Sequence, residues 1–478
     1  MSSCNNQKNK LNCTVYETSS SGNKLQLLTD FEVDSGKFHI HLNPEKTFQT
    51  LTGIGGSFTE SAAYLLDQLS QENRTKIMEA YFGDTGAKYS LTRTHINSCD
   101  FSLSNYAYAM NPDKELKDFT INHDRKYLIP MIKEAQDISS DGFKIISSPW
   151  TAPPWMKDNN KWVGGKLLPE YHDTWALYFS KYIKAYKQEN IDIWGITVEN
   201  EPLGNGNNWE SMHYTADEMT AFVQDYLGPK LEKEGQGDIH ILGYDQNRDH
   251  LKEWVDSMYK NEVTSKYFDG TAIHWYASTN EVFPNALQYA HNKAPNKYLI
   301  ETEGCIDAEV PHWKNDEWYW TKEATDWGWD WATEDEKHLH PKYVPVYRYA
   351  RDMIGCFNNW VDGWIDWNMV LDKQGGPNWF KNWCIAPIIV DPKKDEVYFT
   401  PLYYILSHFS KFIRPGAERI DFKTESSDIQ VTAFKNPDSS IIICILNEGI
   451  DAQSITIHQN NKDATIEISG QALQTVIL

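Results

Sequence analysis

At 478 residues, with 45 basic against 67 acidic side chains and a formal charge of −22, the chain is longer than one average domain and strongly acidic. That balance excludes nucleic acid and anionic membrane surfaces as partners, since both are held by clustered Lys and Arg. No apolar run approaches the ~20 residues that span a bilayer.

The seven cysteines (Cys4, Cys13, Cys99, Cys305, Cys356, Cys384, Cys444) are scattered, without the short paired spacing of zinc or thioredoxin sites. Neither a metal site nor a disulfide framework nor a cofactor motif is indicated. Tryptophan numbers 19, and its flat rings suit the apolar faces of sugars as well as a large core.

Residues 1–12 are polar and read as a disordered tail. The start, Met1-Ser2-Ser3-Cys4, reads as the stump of a bacterial lipoprotein signal in which Cys4 would carry lipid, or, with no hydrophobic signal segment before it, as the polar tail of a mature or cytosolic protein. On the first reading the protein is secreted, periplasmic or a surface lipoprotein. Residues 13–49 alternate as short half-exposed strands.

From residue 51 onward, apolar runs of strand length alternate with amphipathic helical stretches. Strands are expected at 51–58, 88–95, 143–148, 191–198, 239–244, 270–275, 297–302 and 360–367. Helices are expected at 71–81, 124–135, 173–186, 216–231, 251–259, 286–291 and 344–357. This is an α/β pattern that fits a (β/α)8 TIM barrel over 50–400 better than a doubly wound sheet. Gly53-Ile54-Gly55-Gly56 lacks dinucleotide-loop spacing and reads as a tight turn at a strand end. Alternating segments return over 401–478 and predict an appended β-sandwich, which the N-terminal strands of 13–49 join.

In a parallel barrel the chemistry sits where strands end. The polar residues there include Arg93, then Asn97 to Asp100, Trp150, Glu199-Asn200-Glu201, His274-Trp275-Tyr276, Glu301-Thr302-Glu303 and Asp366-Trp367-Asn368. Two carboxylates facing each other, with aromatic and amide neighbours and no metal or nucleotide motif, are what glycoside cleavage requires. One attacks the anomeric carbon or activates water; the other protonates the departing oxygen. A pair of strand residues two apart shares a face, so periodicity leaves Glu199 or Glu201, and Glu301 or Glu303, open. The later of each lies nearer the barrel mouth.

Thr-Val-Glu-Asn-Glu-Pro at 197–202, Ser-Cys-Asp-Phe-Ser at 98–102, Ser-Pro-Trp-Thr-Ala-Pro-Pro-Trp at 148–155, His-Trp-Tyr at 274–276, Asp-Trp-Asn at 366–368 and Gly-Gly-Pro-Asn-Trp at 375–379 resemble glycoside hydrolase family 30. The likeness is to the branch of glucosylceramidases, β-glucosidases and β-1,6-glucanases. It implies a retaining hydrolase without a cofactor, acting on a β-glucan or glucosyl oligosaccharide, β-1,6 linkages preferred, with glucosylceramide or a β-xyloside as alternatives. By the same resemblance Glu201 is the acid/base, Glu303 the nucleophile, and Asn200 a partner of the sugar 2-hydroxyl. Asp100, Trp150, Trp367 and Asn378 line the glucose pocket, and Arg93 and Tyr276 orient the nucleophile.

The chain departs from the family pattern at Glu301, where a small residue is usual, and which is expected to pair with a cation or perturb Glu303. It departs again in the Asn/Gly-rich loop at 203–214 and in a segment bearing Trp313, Trp318, Trp320, Trp327, Trp329 and Trp331. The tryptophans are expected to form a platform for sugar units beyond the cleaved bond.

Overall fold

The computed structural model describes residues 10–204, 208–307, 314–324 and 333–478. Eight parallel strands close into a barrel: β1 (Gly53–Phe58), β2 (Leu91–Ile96), β3 (Lys144–Pro149), β4 (Gly195–Thr197), β5 (His240–Asn247), β6 (Gly270–His274), β7 (Tyr298–Gly304) and β8 (Gly363–Asn368). Each pairs with the next in chain order, and β8 closes on β1. The glycine-rich stretch is β1 itself rather than a turn: a Cβ on Gly55 would lie 2.0 Å from the Leu91 carbonyl oxygen, so glycine there admits β2 at close range.

Inside the barrel, Leu91, Ile146, Leu242, Ala272, Ile300 and Ile365 meet as a dry floor, each such side chain contributing about 1.5–3 kcal/mol by its burial, Ala272 less. Because strand side chains alternate with period two, the inward positions two residues later form the next layer. There Arg93, Ser148, His274, Thr302 and Trp367 replace the aliphatics and remain buried. The change from apolar to polar along the barrel axis sets the level of the site.

The outer layer differs from expectation in three places. Helix Leu128–Ile138 starts later than periodicity suggests, because the Asp124 carboxylate accepts the hydroxyls of Tyr106, Tyr108 and Tyr186 and holds its own segment in turns. The continuous helix expected at 216–231 is broken by a π turn, Val223–Leu227, before Gly228–Lys233. There a Cβ on Gly228 would stand 2.1 Å from the Tyr267 ring. Three short helices escaped the periodicity reading, Glu60–Asp67, capped by the Thr59 hydroxyl, Glu262–Ser265, capped by the Asn261 side chain, and Pro401–Ser410.

The sandwich strands belong to a nine-stranded sheet in the order Gln26–Leu28, Thr14–Ser19, Ala472–Ile477, Ile441–Asn447, Gln430–Lys435, Glu418–Thr424, Phe38–Thr50, Gln453–Gln459 and Lys462–Ile468. Strands from both chain ends thus share one sheet over a core that includes Val15, Ile40, Ile443, Ile455 and Ile466. Phe357 of helix Pro345–Asn358 packs against Phe409 and Phe434, joining the two units. No helix among the described residues is long and apolar enough to cross a membrane. Cys4 lies outside the described residues.

Candidate active site

At the C-terminal mouth of the barrel lies a cavity of about 410 Å³ lined by Asp100, Trp150, Asn200, Glu201, Tyr276, Glu303 and Trp367, with further residues from the loops. Beneath it Arg93, wholly buried, spreads its guanidinium to four partners. It donates to Glu303 Oε2, to Asn200 Oδ1 at 2.8 Å, to Asp245 Oδ2 at 2.8 Å and, through Nε, to Ser148 Oγ at 2.9 Å. The Trp150 and Trp367 rings flank it, stacked on each other at 5.1 Å.

Glu303 receives a second hydrogen bond from the Tyr276 hydroxyl, at 3.0 Å to Oε1. Burial, with the Glu201 charge adding to it, leaves the Glu303 pKa above the usual carboxylate value, although His274 and Arg93 draw it part of the way back. An oxygen of Glu201 and an oxygen of Glu303 lie within 4.8 Å of each other, and His274 Nδ1 stands 3.5 Å from Glu201 Oε1. The neighbouring Asp245 carboxylate is desolvated, yet Arg93 and His274 hold it well below the usual carboxylate range. Burial would depress His274, but Glu303 and Asp245 raise it to about 10, making it a second fixed cation.

The backbone explains how these groups converge. Glu201 follows the end of β4 with φ of 51°, in the left-handed region, and its amide is tied to the Asp245 carbonyl. Such a conformation costs a non-glycine residue of order 1 kcal/mol, and it turns the carboxylate toward the mouth. In β5 the register shifts between Tyr244 and Gln246, and Tyr244 and Asp245 both have positive φ, so Asp245 is aimed inward.

A second shift, in β7, overturns the expected sharing of a face by Glu301 and Glu303. Thr302 and Glu303 both point inward, to Asp245 and Arg93 respectively. Glu301 is left on the outer side, where Arg248 grips it at 2.6 Å and also pairs with Asp352 of helix Pro345–Asn358. Glu301 therefore does pair with a cation; burial nonetheless raises it to about 8. Glu199 is also fully buried, desolvated upward with Lys157 as the opposing charge, and does not line the cavity.

Asn378 is not brought to the cavity. Its side chain bonds the backbone of Asn382 in both directions, and Asn382 lines the cavity instead, donating to Asp100 at 3.3 Å. Among the described residues Asp100 Oδ1 has no hydrogen-bond partner, so one carboxyl oxygen is open to a ligand hydroxyl. The described tryptophans of the 313–331 segment are not a platform: Trp320 packs edge-on against Tyr347, and Trp318 against Tyr319, away from the cavity. Trp313, Trp327, Trp329 and Trp331 lie outside the described residues. Glu336, Leu339 and His340, which follow that segment in the chain, do reach the lining, as does Trp209 after β4.

Sequence reasoning passed over Asp245 because its strand was ended at Tyr244; the rule that polar residues close barrel strands would have found it. Cys305, Asp307 and Cys384, also in the lining, carried no spacing signal.

Paired carboxylates above a barrel floor, walled by stacked indoles and backed by a side sandwich, define a glycoside hydrolase. The chain belongs to family 30 of these enzymes: the glycosyl hydrolase family 30 TIM-barrel domain matches residues 51–413 and its beta sandwich domain residues 416–476. It is 33% identical over 429 residues to the lysosomal acid glucosylceramidase of Mus musculus, covering 87% of this chain and 79% of that one. To the endo-1,6-beta-D-glucanase of Neurospora crassa it is 28% identical over 397 residues, 80% of this chain and 74% of the other. The crystal structure of SrfJ from Salmonella typhimurium superposes with a TM-score of 0.85 at 27% identity, covering 98% and 99% of the two chains. That of an endo-beta1,6-glucanase superposes at 0.82 and 27% identity, covering 97% and 99%.

Proposed function

We propose that the protein is a retaining hydrolase that releases β-linked glucose from a glucan or oligosaccharide, with β-1,6 bonds preferred. The observation that carries the mechanism is the separation of Glu201 and Glu303, whose nearest oxygens stand within 4.8 Å. Retaining pairs are set about 5–5.5 Å apart, whereas inverting pairs stand about 6.5–9.5 Å apart to admit a water between acid and sugar.

Glu303, ionised and held by Arg93 and Tyr276, attacks the anomeric carbon as Glu201 gives its proton to the departing glycosidic oxygen. The bond to the leaving group breaks and an ester to Glu303 forms. Glu201, now a carboxylate, takes a proton from water, whose oxygen displaces Glu303 and restores the original anomeric configuration. Asn200, held by Arg93, bonds the sugar 2-hydroxyl, and Asp100 receives a hydroxyl farther round the ring. Trp150 and Trp367 offer an apolar wall to the sugar.

The β-1,6-glucan preference is supported by relatives that bear that activity in name, and by the rest of the lining. Gly204, Gln246, Asn247, Asp249, Glu336 and His340 suit a sugar leaving group better than a ceramide, which would need an apolar lip. The resemblance to glucosylceramidases keeps glucosylceramide as the second reading. A deoxyfluoro-glucoside trap followed by peptide mass analysis should label Glu303, and gentio-oligosaccharides should turn over faster than glucosylceramide or xylo-oligosaccharides. A product of inverted configuration by NMR would overturn the mechanism, and preferred hydrolysis of glucosylceramide the substrate.

A further inference from the structure

The cavity wall beyond Glu303 holds two thiols and a carboxylate that the hydrolytic chemistry does not use. Cys305, two residues after Glu303, meets Cys384 at 3.5 Å between sulfurs. Asp307 Oδ1 lies 3.2 Å from Cys384 Sγ and 3.8 Å from Cys305 Sγ. The short strands Ile306–Asp307 and Cys384–Ile385 pair antiparallel, with Asp307 opposite Cys384, so the three side chains project from one face. All three belong to the cavity lining.

The triangle has the dimensions of one face of a zinc tetrahedron. With Zn–S near 2.3 Å and Zn–O near 2.1 Å, tetrahedral angles set S···S at about 3.8 Å and S···O at about 3.6 Å. The observed edges depart from those values by a few tenths of an ångström. A disulfide fits less well. Cys305 and Cys384 are free, with 3.5 Å between their sulfurs against about 2.05 Å in a disulfide. Two thiolates and a carboxylate select zinc over calcium or magnesium, which take oxygen ligands.

We propose that Cys305, Asp307 and Cys384 form a zinc site in the wall of the active-site cavity, with its fourth coordination position open to the cavity, and that zinc bound there inhibits hydrolysis. Zinc replaces the two thiol protons, which pass to solvent. Inhibition follows from position: the Tyr276 hydroxyl lies 3.4 Å from Cys305 Sγ and donates to Glu303 at 3.0 Å. A metal on Cys305 therefore stands one hydroxyl away from Glu303 and fills space that substrate needs.

The test is a cobalt titration of the full-length, chelator-treated enzyme, followed by displacement with zinc. One equivalent of Co²⁺ should develop the charge-transfer absorption of thiolate ligands, Zn²⁺ should abolish it, and hydrolysis should fall with the same zinc midpoint and return with chelator. Cys384→Ser should remove most of that absorption. Asp307→Asn, which leaves every thiol in place, should weaken zinc binding at least tenfold and decides the matter if the cysteine variant misfolds. Absence of thiolate charge transfer at one equivalent, or unchanged zinc affinity in Asp307→Asn, would overturn the proposal.

Discussion

Arg93 Nη1 donates to Glu303 Oε2 at 2.5 Å, and the same guanidinium holds Asn200, so the group proposed to attack and the amide proposed to bind the 2-hydroxyl are positioned by one side chain. A planar fork can do this; an ammonium on a flexible stem cannot. Arg93→Lys keeps the positive charge but loses the simultaneous contacts to Ser148, Asn200, Asp245 and Glu303. The expected result is a fall in kcat/KM of about 10²–10³-fold, measured on an aryl β-glucoside, with the folded circular dichroism spectrum retained. Activity within a factor of three of the parent would refute the positioning role.

Glu201 and Glu303 are predicted to separate by their dependence on the leaving group. A glucoside whose aglycone departs readily as an anion needs no proton for bond cleavage, whereas a sugar alkoxide does. Glu201→Gln should lower kcat/KM on gentiobiose-like substrates by about 10²–10⁴-fold, the usual range for a lost general acid, and much less on a dinitrophenyl glucoside. Equal losses on both would show that Glu201 is not the proton donor.

The barrel was legible because an outer helical layer and an inner aliphatic layer impose two different periods on the chain. The floor residues Leu91, Ile146, Ala272 and Ile300 announce strands, and the polar residue two places later announces the site. What periodicity could not reveal is where the period breaks. The β7 shift puts Thr302 and Glu303 on one side and Glu301 on the other, and the β5 shift turns Asp245 inward. A bulge is set by how neighbouring strands pair, which is a property of the closed barrel rather than of a window of residues. Cys305 and Cys384 were invisible for the same reason, being brought together only by the pairing of two loop strands.

The Arg248 pairings make a prediction about stability rather than chemistry. Arg248 is 1% exposed and is shared by Glu301 and Asp352, between β7 and the helix that faces the sandwich. Burial holds Glu301 up to about 8, while Arg248 keeps Asp352 below the ordinary carboxylate value despite its own burial. Arg248→Met removes the cation and leaves Asp352 as an uncompensated buried charge, a change that costs about 3–5 kcal/mol. The double variant Arg248→Met, Glu301→Gln should recover only part of that, because Asp352 remains. Chemical denaturation monitored by tryptophan fluorescence measures both, and a loss below about 1 kcal/mol in the single variant would mean the network is not structurally important.

His408 yields a pH dependence whose sign follows from its burial. It sits between the two units on helix Pro401–Ser410, with Thr475 Oγ1 at 2.8 Å and Thr18 Oγ1 at 2.9 Å from its ring nitrogens. Burial lowers its pKa from 6.5 to about 3. Above pH 6.5 the ring is neutral whether the chain is folded or not, and the shift has no effect on stability. As pH falls below that value the unfolded chain binds a proton that the folded chain refuses, so stability is lost at about 1.4 kcal/mol per pH unit until the folded ring also titrates. His408→Gln keeps a donor and an acceptor but does not titrate. Its stability relative to the parent should therefore improve by about 2 kcal/mol between pH 7.5 and pH 5, the carboxylates that titrate in both proteins cancelling in the difference. Parallel denaturation curves at the two pH values read that difference directly, and a constant offset between parent and variant would show that folded His408 takes up its proton as readily as the unfolded chain does.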